Sequence, residues 1–244
     1  MTRKANDMYV EKDNEKAGWI SPVYSQSRPV HLGPECIARN RCVAYLDNIP
    51  ETEVYRVLRT QILQRTLDSK SNTIMVTSAL PGEGKTLVAI NLAFSIAREF
   101  QHTVLLVDGD LKKQSIHKYL GYASDKGLID FLADGAPLPE LIAWPGIEKI
   151  TLMSGGRSFQ ESAEILGSPR MKDLVSEMKG RYSERYILFD VPPLLAGADA
   201  LTFIPLVDQV IVVVQAGKTP MDDVKKALQL VPKEKFLGFV LNRC

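Results

Sequence analysis

Cysteine is scarce: Cys36, Cys42 and Cys244 are the only three in 244 residues. An odd number, with no Cys-x-x-Cys and no neighbouring histidine pair, argues against a disulfide framework and against a zinc-type site, so the three read as reduced thiols. Long apolar runs are missing too. The longest unbroken ones, Val210 to Val214 among them, are five residues, against the roughly 20 that cross a bilayer. The first twenty residues hold no apolar stretch behind their basic ones, so the pattern of a signal peptide is absent. Neither sign of charge is in excess: 30 Lys plus Arg against 29 Asp plus Glu leaves +1, which speaks against a general nucleic-acid binder. The histidines His31, His102 and His117 are scattered. No Ser/His/Asp or His/Glu metal spacing accompanies them, and His102 and His117 read as surface residues. Together these absences point to the cytoplasm.

What is present is an ordinary globular balance. Hydrophobic residues at 45% and charged residues at 24% suffice for a full core and exclude wholesale disorder. Residues 1–30 are polar and unpatterned and read as a flexible arm; 31–244 read as one domain. Pro50, Glu51 and Thr52 open a helical run over 51–68. Beyond it the pattern alternates. Buried strands are expected at 73–78, 103–108, 149–153, 185–190, 209–215 and 236–241, and helices at 85–98, 115–120, 127–132, 169–180 and 221–230. Continuous apolar strands alternating with amphipathic helices predict an α/β fold: a doubly wound, mainly parallel sheet with helices on both faces. No internal repeat is evident.

The strongest motif is SALPGEGKT, Ser78 to Thr86, which follows a strand and opens a helix, the context a P-loop requires. Amide groups in such a turn point inward and bind phosphate oxygens, and the helix N-terminus adds its positive dipole end. Gly82 and Gly84 allow positive φ and close approach to phosphate. Lys85 supplies a point charge to the outer phosphates, and the Thr86 hydroxyl suits Mg²⁺. The first glycine of the usual pattern is Ala79 here, a small change where φ is negative.

A P-loop needs carboxylates at the ends of neighbouring strands. TVLLVDGD ends on Asp108 and Asp110, and RYILFD ends on Asp190. A buried strand that carries an acid to the sheet edge is costly unless the charge meets a cation. Asp190 is therefore assigned to Mg²⁺, through water. Asp108 or Asp110 is the candidate base for the attacking group, with the other near the metal; Thr86, Asp108 and Asp190 form the expected metal set.

With these motifs in place the chain resembles the bacterial tyrosine kinases of capsule and exopolysaccharide assembly. SALPGEGKT is similar to their Walker A, VLLVDGDLKK to Walker A′ and YILFDVPPLL to Walker B. The likeness runs from about residue 40 to the end and looks closest to the branch linked to exosortase systems. It implies a P-loop NTPase fold, ATP and Mg²⁺ as cofactors, and a nucleotide site formed by Pro81, Gly82, Glu83, Gly84, Lys85, Thr86 and Leu87, with Asn242 a candidate for adenine contact. It implies catalytic roles for Lys85, Asp108 and Asp110. Glu53, Arg56 and Arg59 fit the family's E-x-x-R-x-x-R motif, which implies a homo-oligomeric ring; i, i+3 and i+6 spread over about 120° of a helix surface. It also implies a membrane chain-length (polysaccharide co-polymerase) partner, with membrane contact only through that partner, at the inner face of the cell membrane.

Departures matter. The signature lysine of the partition and division-site ATPases is replaced by Leu80, which weakens that reading. Lys112 stands where arginine is common. None of the eight tyrosines lies beyond Tyr186, whereas the family's tail is tyrosine-rich. Three readings follow: a tyrosine kinase, a non-kinase ATPase switch or scaffold of polysaccharide export, and a partition-type ATPase. Tyr9 and Tyr24, in the arm, are the expected accessible phosphoacceptors.

Overall fold

A computed structural model describes residues 22, 24, 27–46, 49–69 and 71–243. Most of the expected arm, Tyr9 included, lies outside the described residues. The chain runs β1 (Arg28–Pro29), α1 (Pro34–Arg39), α2 (Glu51–Thr66), β2 (Thr73–Ser78), α3 (Lys85–Ala97), β3 (Thr103–Asp108), α4 (Ile116–Leu120), α5 (Leu138–Leu141), β4 (Ile142–Trp144), β5 (Ile150–Met153), α6 (Ser162–Leu166), α7 (Pro169–Arg181), β6 (Arg185–Asp190), α8 (Ala198–Phe203), β7 (Gln209–Gln215), α9 (Met221–Gln229) and β8 (Phe236–Asn242). Among the described residues the strands form one eight-stranded sheet, ordered β1-β4-β5-β3-β6-β2-β7-β8. Every neighbouring pair is parallel except β4 with β5.

Alternation within the strands builds two cores. Met75, Leu105, Ile187, Phe189 and Val212 face one side and pack under α7 and α8, against Met171, Leu174 and Phe203. Ile74, Val76, Leu106, Leu188 and Val213 face the other and pack against α3 and α2, through Val88, Leu92, Ile96 and Ile62. Both faces being covered, β2 and β3 are buried along their full length, which is why they read as unbroken apolar runs. The start of α7 is set locally: Pro169 sits in the first turn and the Ser168 hydroxyl accepts from the Met171 amide at 3.3 Å.

Several expectations change. Arg28–Pro29, placed in the arm by the sequence, pairs with Ala143 and Trp144 of β4, and Tyr24 is half-buried with its ring stacked on Trp144. The turn expected as an α-helix over 127–132 is a π-helical turn at Asp130–Asp134. His102 and His117 are not free surface residues: each is half-buried and packs edge-on against a tyrosine ring, Tyr186 and Tyr122 respectively. The short β1, β4, α5 and α6 carry too few residues to show a period.

Candidate active site

β2, β3 and β6 lie side by side, so their carboxyl ends open onto one edge of the sheet. The loop after β2 is fixed from several directions. The Leu194 amide donates to Ser78 O at 2.8 Å and the Leu195 amide to Ala79 O at 3.2 Å, tying the loop to the segment after β6. Ala79 is fully buried, its methyl group part of the core under α7, and its φ is not positive. The residue that departs from the usual glycine therefore fits without strain. Gly82 and Gly84 take φ of 84° and 93°, the left-handed values the turn needs. Pro81 and Gly82 are exposed at the mouth, and Leu87 packs on the core beneath α3.

Glu83 holds the loop's shape. Its carboxylate accepts from the Leu80 amide at 2.7 Å and from the Thr219 hydroxyl. Asn242, at the end of β8, donates through Nδ2 to Glu83 O at 2.8 Å. It lies so close that a Cβ on Gly84 would come within 2.1 Å of it. Thus β8 and the segment after β7 both reach the phosphate loop. Nothing in the sequence pattern pointed to Thr219.

Lys85 lies between two carboxylates, 3.1 Å from Asp110 and 3.1 Å from Asp190. The Thr86 hydroxyl donates to Asp190 Oδ2 at 2.6 Å and sits 3.2 Å from the Ser115 hydroxyl. Asp108 is turned differently: its carboxylate accepts from the Ser115 and Ile116 amides at 2.9 and 3.1 Å, capping the start of α4. Burial, then nearby Asp190, pushes the Asp108 carboxyl up to about 7. Asp190 is raised by burial as well, with Lys85 and the Thr86 hydroxyl opposing. Burial opposes the Lys85 charge, but Asp190, Asp110 and Asp108 outweigh it and hold the ammonium above its ordinary range. Ser115 joins the site without any mark in the sequence; a hydroxyl with no spacing of its own gives no sequence signal.

Lys112 leaves the site and pairs with Asp199 at 3.0 Å. On α2, Glu53 and Arg56 form an exposed ion pair at 3.2 Å. Arg59 does not join them: it turns inward and donates to Ser95 O of α3 at 3.0 Å, so the expected face of one acid and two guanidiniums is reduced to one of each.

Three buried carboxylates around one ammonium leave excess negative charge, which suits a divalent cation. Among the described residues no group of three or more His, Cys, Asp or Glu could hold a metal ion unaided. Mg²⁺ is usually held by one or two carboxylates together with nucleotide phosphates and water.

A ParA family model, described as NUBPL iron-transfer P-loop NTPase, matches residues 69–243. The tyrosine-protein kinase YwqD of Bacillus subtilis (strain 168) is 33% identical over 193 residues, 78% of this chain and 80% of YwqD. The chain belongs to the bacterial tyrosine kinase family. The succinoglycan biosynthesis transport protein ExoP of Rhizobium meliloti (strain 1021) is also 33% identical, over 196 residues, but the match spans 78% of this chain and only 25% of ExoP. The crystal structure of the chimerical protein CapA2B2 superposes with a TM-score of 0.76 at 26% identity, covering 92% of this chain and 95% of that one. The family's P-loop fold and the observed sheet agree.

Proposed function

We propose that this chain is an ATP-dependent protein tyrosine kinase that regulates exopolysaccharide or capsule polymerisation and export. The observation that carries the reading is the buried cluster in which Lys85 meets Asp110 and Asp190 while Thr86 donates to Asp190. In this reading the loop amides and Lys85 bind the phosphates of ATP. Thr86 and Asp190 would hold Mg²⁺, with Asp108 or Asp110 beside it. Bound Mg²⁺ would neutralise charge on the transferring phosphoryl group. Phosphate binding would draw Lys85 from Asp110 and Asp190, and Asp110, freed in this way, or Asp108 would take the proton of an incoming tyrosine hydroxyl. The protein's contribution is position and preset charge.

The names of YwqD and ExoP support the two halves of this reading, tyrosine kinase and polysaccharide export. We further propose a ring of copies built partly on Glu53 and Arg56, and a membrane chain-length partner that keeps the chain at the inner face of the membrane. Among the described residues no helix is long and apolar enough to cross a membrane.

The test is incubation of purified protein and partner with labelled ATP and Mg²⁺. Label on tyrosine in the parent, and none in Lys85→Met, is the expected result. ATP hydrolysis with no phosphotyrosine would leave a nucleotide switch and sink the kinase.

A further inference from the structure

A tyrosine kinase whose substrate is a second copy of itself needs a tyrosine that reaches solvent. Six of the tyrosines with described surroundings are buried or half-buried. Tyr122 and Tyr186 are 7% and 4% exposed. Tyr24, Tyr45, Tyr55 and Tyr119 are half-buried, with Tyr24 stacked on Trp144 and Tyr45 packed edge-on against Phe94. Tyr182 differs: it is 42% exposed, the one exposed tyrosine among the described residues.

Its setting is also suited to a phosphate. Tyr182 closes α7 in extended backbone, at the connection that leads into β6. The Arg185 guanidinium lies 4.2 Å above its ring. Arg181, its neighbour, pairs with an exposed glutamate, Glu177, at 3.9 Å. Both arginines and Tyr182 line one groove, together with Thr151 and Glu184. Two guanidiniums beside a phenol can each bind an aryl phosphate through charge-assisted hydrogen bonds, and the carboxylates set against them are Glu184 in the groove and Glu177 on α7.

Position decides between one chain and two. Tyr182 lies at the amino end of β6 and Asp190 at its carboxyl end, some ~17 Å apart along the strand. No copy can present Tyr182 to its own phosphate loop.

We propose that Tyr182 is a phosphoacceptor for a second copy of this chain, with Arg181 and Arg185 holding the product phosphate. The proposal rests on the kinase reading above. In the step, Tyr182 Oη of one copy bonds to the γ-phosphorus of ATP on the other. The bond from that phosphorus to the β–γ bridging oxygen breaks, ADP leaves, and the phenolic proton passes to Asp108 or Asp110 of the ATP-bearing copy.

The experiment uses full chains recovered from their own cells, which contain whatever partner activity requires. Tagged Lys85→Met is expressed beside the untagged parent, and both are digested without trypsin and mapped by mass spectrometry. Phosphate on Tyr182 of the tagged, inactive chain is expected. Its absence there, with Tyr182 phosphate on the parent alone, overturns transfer between copies. Phosphotyrosine only at other positions overturns the assignment of Tyr182 but leaves the kinase standing. Hydrolysis with no phosphotyrosine anywhere overturns both. Tyr182→Phe keeps the ring under Arg185; it should lose this site completely and keep ATP hydrolysis.

Discussion

Asp108 is the residue whose charge the fold resists most visibly. Among the described residues no cation pairs with it directly, and burial beside Asp190 holds its carboxyl up at about 7. In the unfolded chain the same group titrates near its ordinary value of about 3.9. Between those values the folded state binds more protons than the unfolded one. The contribution of Asp108 to stability therefore falls as pH rises from about 4 to about 7 and levels off above. The effect is at most about 1.4 kcal/mol per pH unit. Asp108→Asn keeps the shape and cannot ionise, so its stability relative to the parent should rise with pH across that window in nucleotide-free protein. Denaturation of both at pH 5, 6, 7 and 8 measures this, and a constant gap would remove the assignment. The two loop glycines offer a second comparison. Alanine at either position meets a left-handed φ, a cost of roughly 1–2 kcal/mol. At Gly82 nothing else stands within 4 Å, whereas at Gly84 the new methyl strikes Asn242. Gly84→Ala should consequently lose more stability and more nucleotide affinity than Gly82→Ala. Equal losses would mean that Asn242 does not clamp the loop.

On the scale of elements, α2 shows what spacing can and cannot say. Its helical run and the i, i+3, i+6 placement of Glu53, Arg56 and Arg59 were readable, because periodicity belongs to the backbone. Where a long side chain swings was not, because Arg59 finds Ser95 O on α3, 36 positions away. The consequence is a cleaner test of the proposed ring. Glu53→Ala with Arg56→Ala removes an exposed i,i+3 pair worth about 0.2–0.5 kcal/mol, so it should leave the folded chain nearly as stable while reducing oligomer size in light scattering. Arg59→Ala removes a partly buried charged donor from a carbonyl and should cost about 1.5–3 kcal/mol in chemical denaturation whatever the oligomer does. If the double variant keeps full oligomer size, Glu53 and Arg56 are not at the interface. The short elements escaped notice for a different reason. The β1 strand has two residues and β4 has three; their pairing is decided by the sheet edge they reach, not by their own pattern.

For the whole molecule, the legible part of the fold was the part stated locally. The long buried strands announced themselves by runs of mainly apolar residues, and Lys85, Thr86, Asp110 and Asp190 met because a parallel sheet brings strand ends together. Strand order, and the reach of Thr219 and Asn242 to Glu83 across 136 and 159 positions, depend on contacts distant in the chain, for which no local pattern exists. That long reach sets the last expectation. The phosphate loop, Asp108 and Asp190 sit on β2, β3 and β6, three adjoining strands inside the sheet, and the loop is braced from β8. Ligand bound there should stabilise the sheet as one unit and not merely order a surface loop. At a hundred times the dissociation constant the gain is about 2.7 kcal/mol, which for a chain of this size raises the melting temperature by roughly 5–10 °C. The rise should require Mg²⁺ as well as nucleotide, because nucleotide alone brings more negative charge to three carboxylates and one lysine. Lys85→Met should abolish it. A full shift with chelator present would show that the carboxylates do not act through a metal, and a shift retained in Lys85→Met would place the nucleotide elsewhere.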